Sequence, residues 1–365
     1  MGATVLLGAE HARSWHFFAE AADLLRGGGL DLYRAHPEFQ FGPLSVVIAT
    51  LFRALPGPIE VWAVMVTGSL AGVGALALAV DAVRRRHPEL ETKNLTRLVV
   101  IVGLPFLLVW LRLSAYSTHI DDVNALVALV AAGSLLDRRR SGWATACLVV
   151  AAGAKPWAVI FAPLAALGPG RLRAVRPFVV AAVSGATWLP FLLGAPGTLD
   201  ALRGFTIGVD PNSGLVALGF LDASTPSWLR AAQLVLGLVV TGLVVWRRGS
   251  WPAALAAGIC ARLSIDPATH HYYTAAFALT ALVWELDHHP GRMPWRTTLG
   301  VIVLEVAAAD VTLSGFMPYM RISLLVSVIA MTLTSSEDET ARHDLCTQVT
   351  VRPRPAFSVS SGTVP

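Results

Sequence analysis

Val61-Trp-Ala-Val-Met-Val-Thr-Gly-Ser-Leu-Ala-Gly-Val-Gly-Ala-Leu-Ala-Leu-Ala-Val80 runs for twenty residues without a charge, and Asp81-Ala-Val-Arg84-Arg85-Arg86 follows at once. As a helix such a run rises about 30 Å, the thickness of a bilayer's hydrocarbon core. An apolar run closed by an arginine cluster reads as a membrane helix whose basic end faces the cytoplasm.

The same kind of run recurs along the chain. It is found near Pro43–Leu55, Leu98–Leu113, Val123–Leu136, Trp143–Leu167, Pro177–Leu193, Trp228–Trp246, Ala253–Leu263, Thr274–Leu286, Thr298–Leu313 and Phe316–Leu333. Several are short for a span, as expected of helices that tilt, pair as halves or are buried inside a bundle. Together they predict about ten membrane helices. The fold class is therefore an all-α polytopic membrane protein, with one bundle over residues 1–333. Composition agrees: 55% of residues are hydrophobic and 14% charged, against roughly 25% charged in soluble domains. No long polar stretch divides the chain into soluble domains. The net charge of +4 sits in short clusters between apolar runs, so it marks topology and not a nucleic-acid surface. Cys147, Cys260 and Cys346 have no disulfide or metal spacing, and Met1–Ala9 lacks the basic start of a cleavable signal peptide.

Arg84–Arg86, Arg138–Arg140, Arg171/Arg173/Arg176, Arg247-Arg248 and Arg292/Arg296 are all expected on the cytoplasmic side of a plasma membrane. Residues 334–365, polar and rich in Ser, Pro and Arg, read as a disordered cytoplasmic tail. Two stretches break simple alternation. Trp143–Leu167 has basic markers on both sides and contains Gly153-Ala154-Lys155-Pro156, which predicts two helices with Lys155 at their outer turn. Pro43–Leu55 does not fit as a full crossing if Val61–Val80 runs inward; either it is re-entrant or the sidedness of Arg84–Arg86 is reversed. The external side is left with residues 10–42, Ser114–Asp122, Ala195–Ser227 and the turn Asp266–Tyr273, which hold most of the non-basic polar residues. Within the first, Trp15, Phe18, Ala22 and Leu25 share one helical face, an amphipathic pattern suited to the membrane interface.

Four groups of residues have chemical potential. His119-Ile-Asp121-Asp122 opens a membrane helix. One aspartate suffices to cap and to meet the helix dipole, and a His with two carboxylates exceeds that need. Arg262 and Asp266 are spaced to pair on one helix face, Pro267 ends that helix, and His270-His271-Tyr272-Tyr273 crowd the next turn. These read either as a salt-bridged end beside an aromatic belt or as the lining of a headgroup or sugar pocket. Lys155 is either a snorkelling anchor or a cation for a lipid phosphate. Glu305 and Asp310 are acids in an apolar run, five apart and not on one face.

Trp15-His-Phe-Phe-Ala-Glu-Ala-Ala-Asp-Leu-Leu-Arg-Gly-Gly-Gly-Leu-Asp-Leu-Tyr33, followed by His36-Pro37-Glu38-Phe39-Gln40-Phe41-Gly42-Pro43-Leu44, resembles the first external loop of GT-C membrane glycosyltransferases. It looks closest to the actinobacterial alpha-mannosyltransferase-like group that uses polyprenyl-phosphate sugars. The His119-x-Asp121-Asp122 helix start, the Lys155-Pro156 turn and Asp266-Pro267…Tyr272-Tyr273 are similar too, and the order of these motifs up to about Leu333 is the stronger signal. The resemblance implies an interfacial helix in the first external loop and a catalytic acid just ahead of the aromatic pair. Here Arg13-Ser14-Trp15-His16 puts Ser14 in that place, with Glu10 and Glu20 the nearest acids. It also implies a membrane helix before this loop. Val5-Leu6-Leu7 looks like the tail of one, so a start upstream of Met1 is expected.

By this resemblance Asp121, Asp122, Glu10 and Glu20 are the catalytic candidates. His16, His119, Lys155, Arg262, Asp266, His270, His271, Tyr272 and Tyr273 are the substrate-binding ones, with Arg203 a further cation for the departing phosphate. No metal set or cofactor is assigned. The donor would be a polyprenyl-phosphate hexose, with mannose the first candidate. The acceptor would be lipid-linked or a glycan at the outer face, and the partners membrane lipid and not nucleic acid. Two other functions fit the same chain: a transporter or flippase of lipid-linked sugars, and an inactive family member that scaffolds other envelope enzymes. Against the transporter, there is no clear internal repeat, and polar residues gather at one face rather than mid-bilayer.

Overall fold

In the computed structural model the described residues are 12–90, 92–222, 224–309 and 315–334, with 92–99 as backbone only. The chain divides into two units, Met1–Leu333 and Thr334–Pro365. The expected tail from residue 335 onward, Glu10, Asp310 and Cys346 lie outside the described residues. Within the described residues of the first unit the regular structure is helical, apart from one antiparallel bridge between Gly208 and Ser224.

The main helices are α1 (Trp15–Arg26), α2 (Pro43–Phe52), α3 (Gly57–Arg86), α4 (Thr92–Leu111), α5 (Ile120–Asp137), α6 (Ser141–Ala154), α7 (Arg176–Ala186), α8 (Leu229–Arg248), α9 (Trp251–Ser264), α10 (His271–His288), α11 (Trp295–Ala308) and α12 (Met317–Thr334). A π turn, Arg112–Tyr116, continues α4, and a 3-10 run, Pro156–Leu167, follows α6. By length and composition α3, α8 and α12 are long and apolar enough to cross a membrane. α2 and α6, α7 and the 3-10 run are shorter apolar segments.

α9 and α10 form the centre: every residue of α9 is buried, and so is α10 from Thr274 to Asp287. Around them the lipid-sized helices keep bare apolar faces, with Leu70, Val235, Val239 and Val326 exposed. A soluble protein would hide such faces; a membrane protein turns them to lipid. Helices approach closely where a glycine sits opposite a large ring. A Cβ on Gly133 of α5 would lie 2.3 Å from the Trp251 ring of α9, so only glycine lets the backbones meet there.

The bundle has two polar ends. At one, the C-terminal ends of α3, α5 and α10 meet the start of α9. Arg86 bridges Asp137 at 2.7 Å and Asp287 at 2.8 Å, while the Trp251 Nε1–H donates to Asp137 at 3.0 Å. At the other end lie the start of α5, the end of α6, the end of α9 and the start of α10. The chain reverses at Lys155, and Gly168 comes back beside Ser141, as a Lys-Pro turn between two apolar halves requires.

α2 belongs to the second end. Its ten residues rise about 15 Å, half a bilayer core. Gly42 N–H donates to the Ala154 carbonyl at 2.8 Å, while Arg53 beyond its far end reaches Asp23 of α1 and Glu60 at the start of α3, 2.8 Å away. α2 thus starts and finishes among residues of the same end. α1 turns its apolar stripe inward: Trp15, Phe18, Ala21 and Ala22 are buried, Phe18 stacks on Phe41 and Trp15 meets Phe52 edge-on.

Candidate functional site

The site is built on the first turn of α5. His119 is the N-cap residue and its side chain makes no capping hydrogen bond. Asp121 and Asp122 therefore lie inside the first turn, and neither is the capping residue. Thr118 precedes them in the left-handed region, φ +54°, a conformation that a non-glycine residue keeps only where its surroundings enforce it. The buried Thr118 hydroxyl donates to the Ala115 carbonyl at 3.1 Å.

Both carboxylates are buried. The Lys155 ammonium from the α6 turn bonds to Asp121 and lies 3.1 Å from Asp122 Oδ2. Two residues on, the Trp157 Nε1–H donates to Asp122 Oδ1 at 3.1 Å. Taking two carboxylates out of water costs several kcal/mol each without a cation beside them, and Lys155 supplies it. Asp121 Oδ1 is shielded from solvent and has no hydrogen bond, while Asp122 Oδ2 has the Lys155 ammonium as its ion-pair partner. His119 Nδ1 faces these two atoms at 3.7 and 4.0 Å.

From Asp122 the cluster extends through Trp157. The Arg262 guanidinium lies between the Trp157 and Tyr273 rings, 4.8 and 4.9 Å from their centroids, and pairs with Asp266 at 3.1 Å. Tyr272 packs on His119 at 3.9 Å and stacks on His270 at 5.0 Å. Desolvation by its neighbours lowers the His270 imidazole from its ordinary pKa, and the ring packs against Tyr272 and Tyr273.

The first loop reaches this cluster. The backbone N–H groups of Ala12, Arg13 and Ser14 donate to the carbonyls of Ala115, Tyr116 and Ser117 at 3.3, 3.2 and 3.0 Å. That ladder sets the Ser14 Oγ 3.1 Å from His119 Nε2.

Eight of the residues singled out in the sequence thus come together: His119, Asp121, Asp122, Lys155, Arg262, Asp266, Tyr272 and Tyr273, with His270 at the edge. Others do not join them. His16 and Glu20 sit on the outward face of α1, lining a cleft of about 600 Å³ with Asp23 and Arg53. His271 turns the other way: its Nδ1 lies 2.9 Å from Glu305, which also pairs with Arg112. Arg203 is exposed on the short helix Thr198–Gly204.

Sequence reasoning passed over Trp157 and Arg321. Trp157 was legible as the aromatic residue beside Lys155-Pro156. Arg321 is the single charge in α12; it is buried and donates to the carbonyls of Ala268 and Leu263 at 3.1 and 3.4 Å, which ties α12 to the Asp266 turn.

His119, Asp121 and Asp122 have ligand atoms within 4.8 Å of one another. The Lys155 ammonium already lies against both carboxylates, so the positive charge they need comes from the chain itself. What the cluster offers is a paired acid–ammonium centre, a stacked guanidinium and a wall of three aromatic rings.

The sequence model of glycosyltransferase family 87 matches residues 39–284, more than half of the chain. The chain belongs to glycosyltransferase family 87. All nine cluster residues from His119 to Tyr273 fall inside the family-87 match; Ser14 and α1 precede it. Membership makes the chain a membrane glycosyltransferase, in keeping with its helical build and lipid-sized apolar helices. No curated protein and no solved structure matches the chain.

Proposed function

We propose that this glycosyltransferase moves a hexose, mannose in the first instance, from a polyprenyl-phosphate donor to a lipid-linked or glycan acceptor at the outer face of the plasma membrane. The observation that carries the proposal is the meeting of Asp121, Asp122, Lys155 and Arg262 at the bundle end away from the Arg86 cluster. Arginine-rich ends face the cytoplasm, so the acidic and aromatic end faces out. On this reading about ten helices cross the bilayer, α2 stays at the outer side, and α1 lies along the outer surface with His16, Phe17 and Glu20 toward headgroups.

Such a donor has a charged leaving group anchored at the membrane surface. Lys155 and Arg262 supply positive charge where the phosphate departs, Tyr272, Tyr273 and Trp157 give faces for a sugar ring, and the Asp121–Asp122 pair stabilises the positive charge that develops on the sugar. Lys155, half-buried, and Arg262, buried, each lie beside a carboxylate, so they are held in place before substrate arrives.

The test is donor choice. Membranes bearing the full chain are given radiolabelled polyprenyl-phosphate mannose, polyprenyl-phosphate glucose or a nucleotide-sugar. Label appearing in lipid or glycan product from a polyprenyl-phosphate sugar supports the reading. Transfer from the nucleotide-sugar alone, or label that crosses the membrane unconverted, contradicts it, and the second result would favour a transporter.

A further inference from the structure

His119 has the geometry of a base. Asp121 Oδ1, a buried acceptor without a hydrogen bond, and Asp122 Oδ2, paired with Lys155, both face its Nδ1, at 3.7 and 4.0 Å. Two anionic oxygens on that side favour the tautomer with the proton on Nδ1. The lone pair then lies on Nε2. Nε2 points at a hydroxyl, Ser14 Oγ, at 3.1 Å, within the ~2.6–3.2 Å reach of a base on the proton that it takes. Tyr272, 3.9 Å away, fixes the ring.

The carboxylates are less suited to the task. Lys155 pairs with Asp121 Oδ2 and Asp122 Oδ2, and Trp157 donates to Asp122 Oδ1, which leaves Asp121 Oδ1 free, on the side of the imidazole. The Ser14 hydroxyl shows where a second hydroxyl, that of an acceptor, meets Nε2.

We propose that His119 Nε2 is the catalytic base of the transfer, oriented by Asp121 and Asp122; the proposal rests on the glycosyl-transfer reading above. The acceptor hydroxyl takes the place of Ser14 on Nε2. Its O–H bond breaks and the proton goes to Nε2. The oxygen electron pair forms the bond to the anomeric carbon, whose bond to the phosphate oxygen breaks. That electron pair leaves with the lipid phosphate monoester. The imidazolium, opposite the two carboxylates, later returns its proton to solvent.

The experiment uses the purified full chain in nanodiscs with radiolabelled polyprenyl-phosphate mannose and a membrane-lipid extract as acceptor. His119→Gln is expected to lower kcat by ~10³, with the KM for donor within about threefold, because the donor's phosphate contacts are untouched. His119→Gly is expected to regain at least about tenfold on added imidazole, which restores the missing base and which a merely structural loss would not answer. Ser14→Asp, placed on His119→Gln, is expected to recover part of the rate by putting a carboxylate at the same spot. Near-parental turnover by a monodisperse His119→Gln overturns the assignment. So does a loss that neither imidazole on His119→Gly nor Ser14→Asp on His119→Gln relieves. An inactive parent chain would sink the glycosyl-transfer reading itself, whereas an active parent with an indifferent His119 sinks this proposal alone.

Discussion

The two polar ends of the bundle use the same residue types to different effect. At the basic end charges pair off: Arg86 with Asp137 and Asp287, Arg138 and Arg85 with Asp81, and the Trp251 indole on the remaining Asp137 oxygen. At the acidic end Asp121 and Asp122 share one cation, Lys155, and Asp121 keeps one buried oxygen without a hydrogen bond. An unmade bond on a buried carboxylate is a cost of roughly 1–3 kcal/mol. Two buried carboxylates gathered on one ammonium, with a histidine and a hydroxyl beside them, point to work at that end.

Replacing the central cation at each end sharpens the contrast most. Lys155→Met is expected to destabilise the chain by about 3–5 kcal/mol, since it strands two buried carboxylates, and to cut sugar transfer per folded molecule by ~10² or more. Arg86→Met is expected to lower the melting temperature as well, but to leave transfer per folded molecule within about threefold, because substrate meets the other end. Thermal scans in detergent with radiolabel counts on the same samples separate the two outcomes. Equal losses of transfer would break the comparison.

A smaller effect is expected at Arg262. Its guanidinium carbon lies 4.8 and 4.9 Å from the centroids of Trp157 and Tyr273, and a lysine ammonium cannot present the same planar fork to both. Arg262→Lys keeps the charge beside Asp266 and loses the stacking, worth about 2 kcal/mol when desolvated. Transfer should fall by roughly tenfold, mainly in KM for the donor. No change would mean that charge alone matters there.

The smallest effect belongs to the basic end. The Asp287 carboxylate beside His87 holds that imidazole above the ordinary histidine pKa, against the opposing effect of burial. A raised folded-state pKa favours the charged form. The contribution is complete below the unfolded value of about 6.5 and fades as pH rises through the folded one. His87 is partly exposed, so the melting temperature should drop by only a degree or so between pH 6 and pH 8, about what a fraction of a kcal/mol gives. His87→Gln should abolish that slope; a slope of the opposite sign would contradict the pairing.

Much of this arrangement was legible in the chain. The apolar runs and arginine clusters announced helices with one basic end, and Lys155-Pro156 announced the reversal where Lys155 sits. Arg262 and Asp266, four apart, pair as helix spacing requires. Other features depend on the third dimension. Periodicity showed that α1 has an apolar stripe, which suited a lipid interface equally well; the partners Phe41 and Phe52 that cover it lie on other segments. His270 and His271 are neighbours in sequence, yet one joins the Tyr272 stack and the other Glu305. His270 is the extended N-cap residue and His271 the first helical one, so their side chains diverge, and only the placement of α11 decides which one meets an acid. That Ser14 would reach His119 rests on the three backbone bonds between residues 12–14 and 115–117, which no local pattern announces.

The central claim is that reaction occurs at the acidic end, and one paired assay tests it most directly. Asp121→Asn/Asp122→Asn and Asp137→Asn are reconstituted at equal amounts of folded protein, and transfer from radiolabelled polyprenyl-phosphate mannose is counted. The account predicts a loss of ~10³ or more for the Asp121/Asp122 pair and a rate within about threefold of the parent for Asp137→Asn, whose cost is a lower melting temperature. A double variant that still transfers sugar at the parental rate, or an Asp137→Asn that abolishes transfer while folded, would contradict it.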